Sequence, residues 1–122
     1  MSRQIRVEIK PGVILWPAHF HFYHTGLILR AVENNWPEKS DLIVITRGAE
    51  PVPTGAPNSK HLIGKAFDFR TRHLPPEVDR TALLHRIMGD PPMNNGYYGY
   101  FKKISSDGKG GFIEWMHIDY RR

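Results

Sequence analysis

The chain contains no cysteine. Disulfides and thiolate metal sites are therefore excluded, and any bound metal must be held by histidine, aspartate or glutamate. No apolar run approaches the roughly 18 residues that would suggest a membrane span, so no membrane partner is expected. The opening stretch, MSRQIRVEIK, lacks the apolar segment of a secretory signal. The expectation is synthesis in the cytoplasm, with action elsewhere only after release. Nor is there a Lys/Arg-rich run of roughly five to eight residues. The longest basic stretches are the pairs Lys102-Lys103 and Arg121-Arg122, although the formal charge is +5 and the pI about 9.7. Dispersed positive charge suits a solvated surface with some affinity for polyanions such as an acidic cell wall. No nucleic-acid partner is expected. Internal repeats, low-complexity tracts and linkers are also missing, so residues 1–122 read as one domain.

What is present is enough for a core: 40% hydrophobic residues, with three Trp, five Tyr and six Phe. Residues 3–9 alternate loosely and predict a short strand closed by Pro11-Gly12. Between about Ala18 and Trp36, Leu27, Ile28, Ala31, Val32 and Asn35 fall at helical spacing, and Pro37 ends the pattern. DLIVITRG, 41–48, is β-branched and apolar, a buried strand. AEPVPTGAPNS follows as a loop. KAFDFRTR, 65–72, alternates strictly, with Phe67 and Phe69 toward the core and Asp68 and Arg70 toward an open face. Residues 75–89 predict a helix with proline at its start and glycine at its end. Strands at about 97–105 and 111–120 flank SDGKGG, a hairpin signal. The order β-α-β-β-α-β-β predicts an α+β domain, two helices on one face of a mainly antiparallel sheet.

One stretch, NSKHLIGKAFDFR (58–70), carries His61 and Asp68 with apolar and small residues between them. A core strand has little use for the carboxylate, and a surface loop little use for Leu62, Ile63 and Phe67. Two ligands of one metal ion account for both. His117, in EWMH, is the candidate third ligand. Two imidazoles, one carboxylate and an open fourth position make the pattern of a catalytic zinc site. Glu114 could serve as the base beside it. On a regular strand, however, residues 114 and 117 face opposite ways, so their convergence predicts an irregularity near Trp115–Met116. A second histidine group, His19, His21 and His24 in HFHFYH, has no acid beside it and reads as polar residues at a helix start.

SKHLIGKAFD followed by EWMH resembles the zinc peptidase family of D-alanyl-D-alanine carboxypeptidases and dipeptidases and of phage L-alanyl-D-glutamate endopeptidases. Its signature, S-x-H-x(2)-G-x-A-x-D and later E-x-x-H, is matched at Ser59, His61, Gly64, Ala66, Asp68, Glu114 and His117. The resemblance covers the chain from about residue 41 onward. It implies a hedgehog/D-Ala-D-Ala-peptidase-like fold, with Zn2+ on His61, Asp68 and His117 and Glu114 as general base. It also implies Ser59 near the metal as a hydrogen-bond donor, and a peptide bond of peptidoglycan as substrate. The bond would be either L-Ala-D-Glu or D-Ala-D-Ala. Family members often polarise the carbonyl with an arginine ahead of the S-x-H motif. Arg47 is the candidate, though relatives often carry serine there. Asp119 stands where relatives often carry glutamate or histidine, and either orients a ligand or faces water. A phage or prophage wall-degrading protein is the implied role. The alternative is a non-catalytic zinc-containing module of the same fold that binds peptide or wall.

Overall fold

The computed structural model describes residues 4–15, 23–50, 61, 65–105 and 111–121. Strand β1 (Arg6–Ile9) is followed by helix α1 (Tyr23–Asn35), strands β2 (Leu42–Arg47) and β3 (Ala66–Arg70), and helix α2 (Arg80–Met88). A 3-10 turn (Pro91–Asn94) then leads to strands β4 (Tyr97–Ser105) and β5 (Phe112–Tyr120). The β-α-β-β-α-β-β order read from the pattern is the order found, and the class is α+β. The five strands form one sheet in the order β1-β2-β3-β5-β4. It is mixed: β1 runs parallel to β2, and the other three pairings are antiparallel. The parallel pair follows from α1, which returns the chain to the end of the sheet where β1 began.

Strand alternation splits the sheet into two chemistries. Ile45, Phe69, Met116 and Phe101 are cross-strand partners on one face. Phe67 and Ile118 join them, and all are part of, or packed against, the main core. Both helices cover this face. Ile28, Ala31 and Val32 of α1 and Leu83, Leu84 and Ile87 of α2 are buried against it. Burying each such aliphatic or aromatic side chain stabilises by about 1.5–3 kcal/mol. At Gly99 the approach is close. A Cβ there would stand 3.0 Å from Met88 Sδ and 3.2 Å from Leu84 Cδ1. A larger residue would push α2 off β4.

Helix α2 begins later than the sequence pattern predicts, at Arg80 rather than at Pro75. Asp79 is its N-cap, accepting from the Ala82 amide at 3.0 Å. Residues 71–79 are instead an irregular loop wrapped around one guanidinium. Arg80 donates to the carbonyls of Thr71, Leu74, Pro75 and Val78 at 2.7 to 3.2 Å. Four part-buried carbonyls thereby gain a partner, those of Thr71 and Pro75 in addition to a backbone amide. Pro11-Gly12 turns the chain after β1 as its residues suggest, with Gly12 at φ 91°. The hairpin tip between β4 and β5 lies outside the described residues, as do the first turns expected for α1.

Candidate metal centre

The second face of the sheet carries the polar residues. Arg47, Asp68, His117 and Tyr100 are cross-strand partners running over β2, β3, β5 and β4. Such partners share a face, with Cβ atoms about 4.5–5.5 Å apart. The rows on either side hold Ala66, Asp119 and Tyr98, and Arg70, Trp115 and Lys102. His61 reaches the same place from the segment before β3.

Three donor atoms converge there. His61 Nε2 lies 3.1 Å from Asp68 Oδ1 and 3.2 Å from His117 Nδ1, and His117 Nδ1 lies 2.8 Å from Asp68 Oδ1. The other nitrogen of each ring is already committed. His61 Nδ1 is 2.9 Å from the Gly48 carbonyl, which can only accept. His117 Nε2 is 2.8 Å from Asp119 Oδ2. The Gly48 carbonyl places the N–H of a neutral His61 on Nδ1 and leaves Nε2 bare, whereas His117 stands between two carboxylates at 2.8 Å and presents a bare Nδ1 when its N–H is on the Asp119 side. A cation resolves that arrangement. Tetrahedral zinc with bonds of about 2.0–2.1 Å sets its ligand atoms roughly 3.3 Å apart. The triangle needs to open by only a few tenths of an ångström, and the residues fit the ion. The same donor set can also suit iron or manganese.

The supports behind the triangle are themselves held. Gly48 donates to Glu50 Oε1 at 2.9 Å, and so does Ile14 at 2.9 Å. The carbonyl that orients His61 is thus tied to the β1–α1 connection. Gly48 must be glycine for packing reasons, since a Cβ there would collide with the Ile14 carbonyl. Asp119, 2% exposed, also accepts from Arg121 Nε at 3.0 Å. Of its two readings in the sequence, facing water does not hold: Asp119 is buried against the His117 ring. Tyr100 stacks on the His117 ring, with centroids 4.8 Å apart and planes 22° apart.

Burial disfavours charge here, yet the hydrogen bonds outweigh it. Against the cost of its own burial, Asp68 is held below the ordinary carboxylate range by hydrogen bonds to His117 and His61. Asp119 is lowered in the same way, by His117 and then Arg121. His117 is pushed above the usual imidazole value, because hydrogen bonds to Asp119 and Asp68 overcome desolvation. Tyr100 is raised by burial and then by the Asp68 charge.

Glu114 is not brought to this triangle. The irregularity expected near Trp115–Met116 is absent. Partners run unbroken from Asp119 to Trp115 against β3 and from Tyr120 to Phe112 against β4. Glu114 therefore shares the helix-covered face with Met116 and Ile118. It is 6% exposed and accepts from Arg80 Nε at 3.0 Å. The irregularity lies instead in β2, between Ile45 and Arg47. Ile45 pairs with Phe69, so regular pairing would set residue 47 opposite Phe67. The extra residue sets Arg47 opposite Asp68 and moves it to the polar face.

Ser59 and Gly64 lie outside the described residues, as do His19 and His21. His24 stacks on Tyr120 at a centroid distance of 3.8 Å. Among the described residues, His61, Asp68 and His117 are the one group of three able to hold a metal ion. A groove of about 380 Å³ opens beside them, lined by residues that include Arg47, Asp68, Arg70 and Trp115. Comparison with known proteins found no matching family model, no matching curated protein and no matching solved structure.

Proposed function

We propose that this chain is a zinc-dependent peptidoglycan hydrolase with a hedgehog/D-Ala-D-Ala-peptidase-like fold. It would cut a stem-peptide bond, either L-Ala-D-Glu or D-Ala-D-Ala, and act at the wall as a phage or prophage component. The observation that supports this best is the triangle of His61 Nε2, Asp68 Oδ1 and His117 Nδ1, with the outer ring nitrogens against the Gly48 carbonyl and the Asp119 carboxylate. The choice of wall peptide as substrate rests on the S-x-H-x(2)-G-x-A-x-D and E-x-x-H resemblance. Zinc supplies Lewis-acid polarisation of a carbonyl and acidifies water toward pKa of about 7. The chain's own residues do the rest. His61, Asp68 and His117 hold the ion. Gly48 and Asp119 fix the two rings. Arg47, beside Asp68, donates to the carbonyl oxygen as negative charge develops on it. Trp115 forms a wall of the groove along which the peptide lies.

A second reading draws on the position of Glu114. Its carboxylate neutralises Arg80 on the far face, so it takes no proton at the triangle. On this reading the ion is structural, and the domain binds wall peptide without cutting it.

Zinc content and cleavage separate the two. Wild type and Glu114→Gln are purified, their zinc is quantified, and each is incubated with purified peptidoglycan while mass spectrometry follows new amino termini. Zinc in both and cleavage by wild type support the hydrolase, and the fragments identify the bond. Zinc in both and cleavage by neither, over several wall chemistries, supports the binding module. Protein without zinc after loading sinks both readings.

A further inference from the structure

The sheet ends in β1 on one side and β4 on the other, and the two edges differ. β4 carries Lys102 and Lys103 and no acid. Laid against itself it gathers like charge, a common way to keep an edge free. β1 has no such protection. It contains no proline or glycine, its pairing with β2 has no bulge, and it carries one charge of each sign, Arg6 and Glu8.

The parallel pairing with β2 fixes which groups of β1 point outward. Arg6 and Lys10 donate to the Asp41 and Ile45 carbonyls at 2.7 and 3.0 Å. Alternation therefore turns the amides and carbonyls of Ile5, Val7 and Ile9 away from β2, toward the open edge. A second β1 laid antiparallel can bond only where these residues meet one another. The register centred on Arg6 sets arginine opposite arginine, and the register centred on Glu8 sets glutamate opposite glutamate. The register centred on Val7 sets Arg6 opposite the partner's Glu8 in both halves of the dyad. It also sets Ile5 opposite the partner's Ile9. Ile9, 49% exposed, is then covered by the apolar stripe of Ile5 and Val7 that packs on the core.

We infer that β1 is a self-association edge, where two copies of this chain join by antiparallel pairing centred on Val7. About six backbone hydrogen bonds and the crossed Arg6–Glu8 pairs link the two sheets into one. The dyad is perpendicular to the sheet, so both His61–Asp68–His117 triangles open on the same side, roughly 24 Å apart at about 4.8 Å per strand. The interface is small, and a dissociation constant on the order of 1–100 μM is expected. The inference does not depend on the hydrolytic reading.

The test is sedimentation equilibrium of the full chain from about 5 μM to about 500 μM, a range set around that constant. Wild type should dimerise reversibly. Arg6→Glu places an acid opposite the partner's Glu8, and Glu8→Arg places a base opposite the partner's Arg6. Each should weaken the dimer by at least about tenfold. The Arg6–Glu8 contact within one chain is exposed, so neither change should disturb the fold. Mixing the two variants restores opposite charges at every crossed position, and a mixed dimer about as tight as wild type should form. Amide exchange gives a second readout. Protection of Val7 and Ile9 should rise with concentration, while Arg6, already bonded to Asp41, should not change.

A wild type that stays monomeric throughout overturns the inference and leaves the edge to another occupant. A dimer that both single variants preserve overturns it as well, since the contact then lies elsewhere. Weakening in both variants without rescue on mixing overturns the register centred on Val7.

Discussion

Phe69 and Asp68 are neighbours on β3 and belong to different machines. Phe69 is fully buried under the two helices, in a row with Ile45, Met116 and Phe101. Asp68 faces the other way, in a row with Arg47, His117 and Tyr100. One face has its apolar surface removed from water and holds the sheet in place. The other uses that rigidity to keep three nitrogen and oxygen atoms within 3.2 Å of one another. The packed face thus holds in place a polar cluster that its own contacts would not fix alone.

Substituting the two neighbours separates these roles. Asp68→Asn keeps the shape and removes the charge. We expect zinc affinity to fall by more than about a hundredfold, beyond the usual cost of losing a partner behind a ligand. Any cleavage activity should fall to background, and circular dichroism should match wild type. Phe69→Ala leaves His61, Asp68 and His117 intact and opens a cavity. It is expected to cost about 3–5 kcal/mol, or about 10 °C or more in melting temperature. Zinc should still bind to whatever fraction remains folded. If Asp68→Asn retains full zinc affinity, the carboxylate is not a ligand and the contrast collapses.

Glu114 tests the boundary between the faces from the helix side. Glu114→Gln weakens the pair with Arg80, which still donates to four carbonyls. A loss of about 1–3 kcal/mol is expected in chemical denaturation, the cost of a weakened buried charge pair. Zinc content should not change. Loss of cleavage with stability and zinc untouched would overturn the placing of this carboxylate on the helix face alone.

The sequence was more informative about which residues meet than about how they are held. The meeting of His61, Asp68 and His117 was legible because a histidine and an acid inside an apolar stretch have few uses apart, and because EWMH offered a third group for the same place. The two faces of β3 were legible from strict alternation in KAFDFR. Glu114 misled because sequence distance from His117 says nothing about which face each residue takes on an unbroken strand. The β2 bulge carries no marker: LIVITR contains neither glycine nor proline, and the extra residue is visible only against β3. The Gly48 carbonyl that orients His61 was illegible in principle, since every residue has a carbonyl. The start of α2 was misplaced because Pro75 looks like a first helical residue. In the fold, Arg80 takes the carbonyls that a helix would have used.

The smallest effect expected is also the one that depends most on both charges of the triangle. In the metal-free protein, Asp68 is lowered from its ordinary value of 3.8 and His117 is raised from 6.5. The lowered carboxylate adds stability above its unfolded value, and that stability is lost as pH falls through the folded one. The raised imidazole adds stability below 6.5, lost as pH rises through its folded value. Both contributions are present together between those limits, so the metal-free protein should melt highest near about pH 5 and a few degrees lower at about pH 8. Zinc reverses the trend. It competes with the His117 proton, so its affinity rises with pH over the same interval. The gain in melting temperature on adding a fixed excess of zinc should therefore grow from about pH 5 to about pH 8. Scanning calorimetry with and without the metal measures both curves. A zinc-induced gain independent of pH would mean that His117 does not give up a proton to the ion, and the triangle would then need a different third ligand.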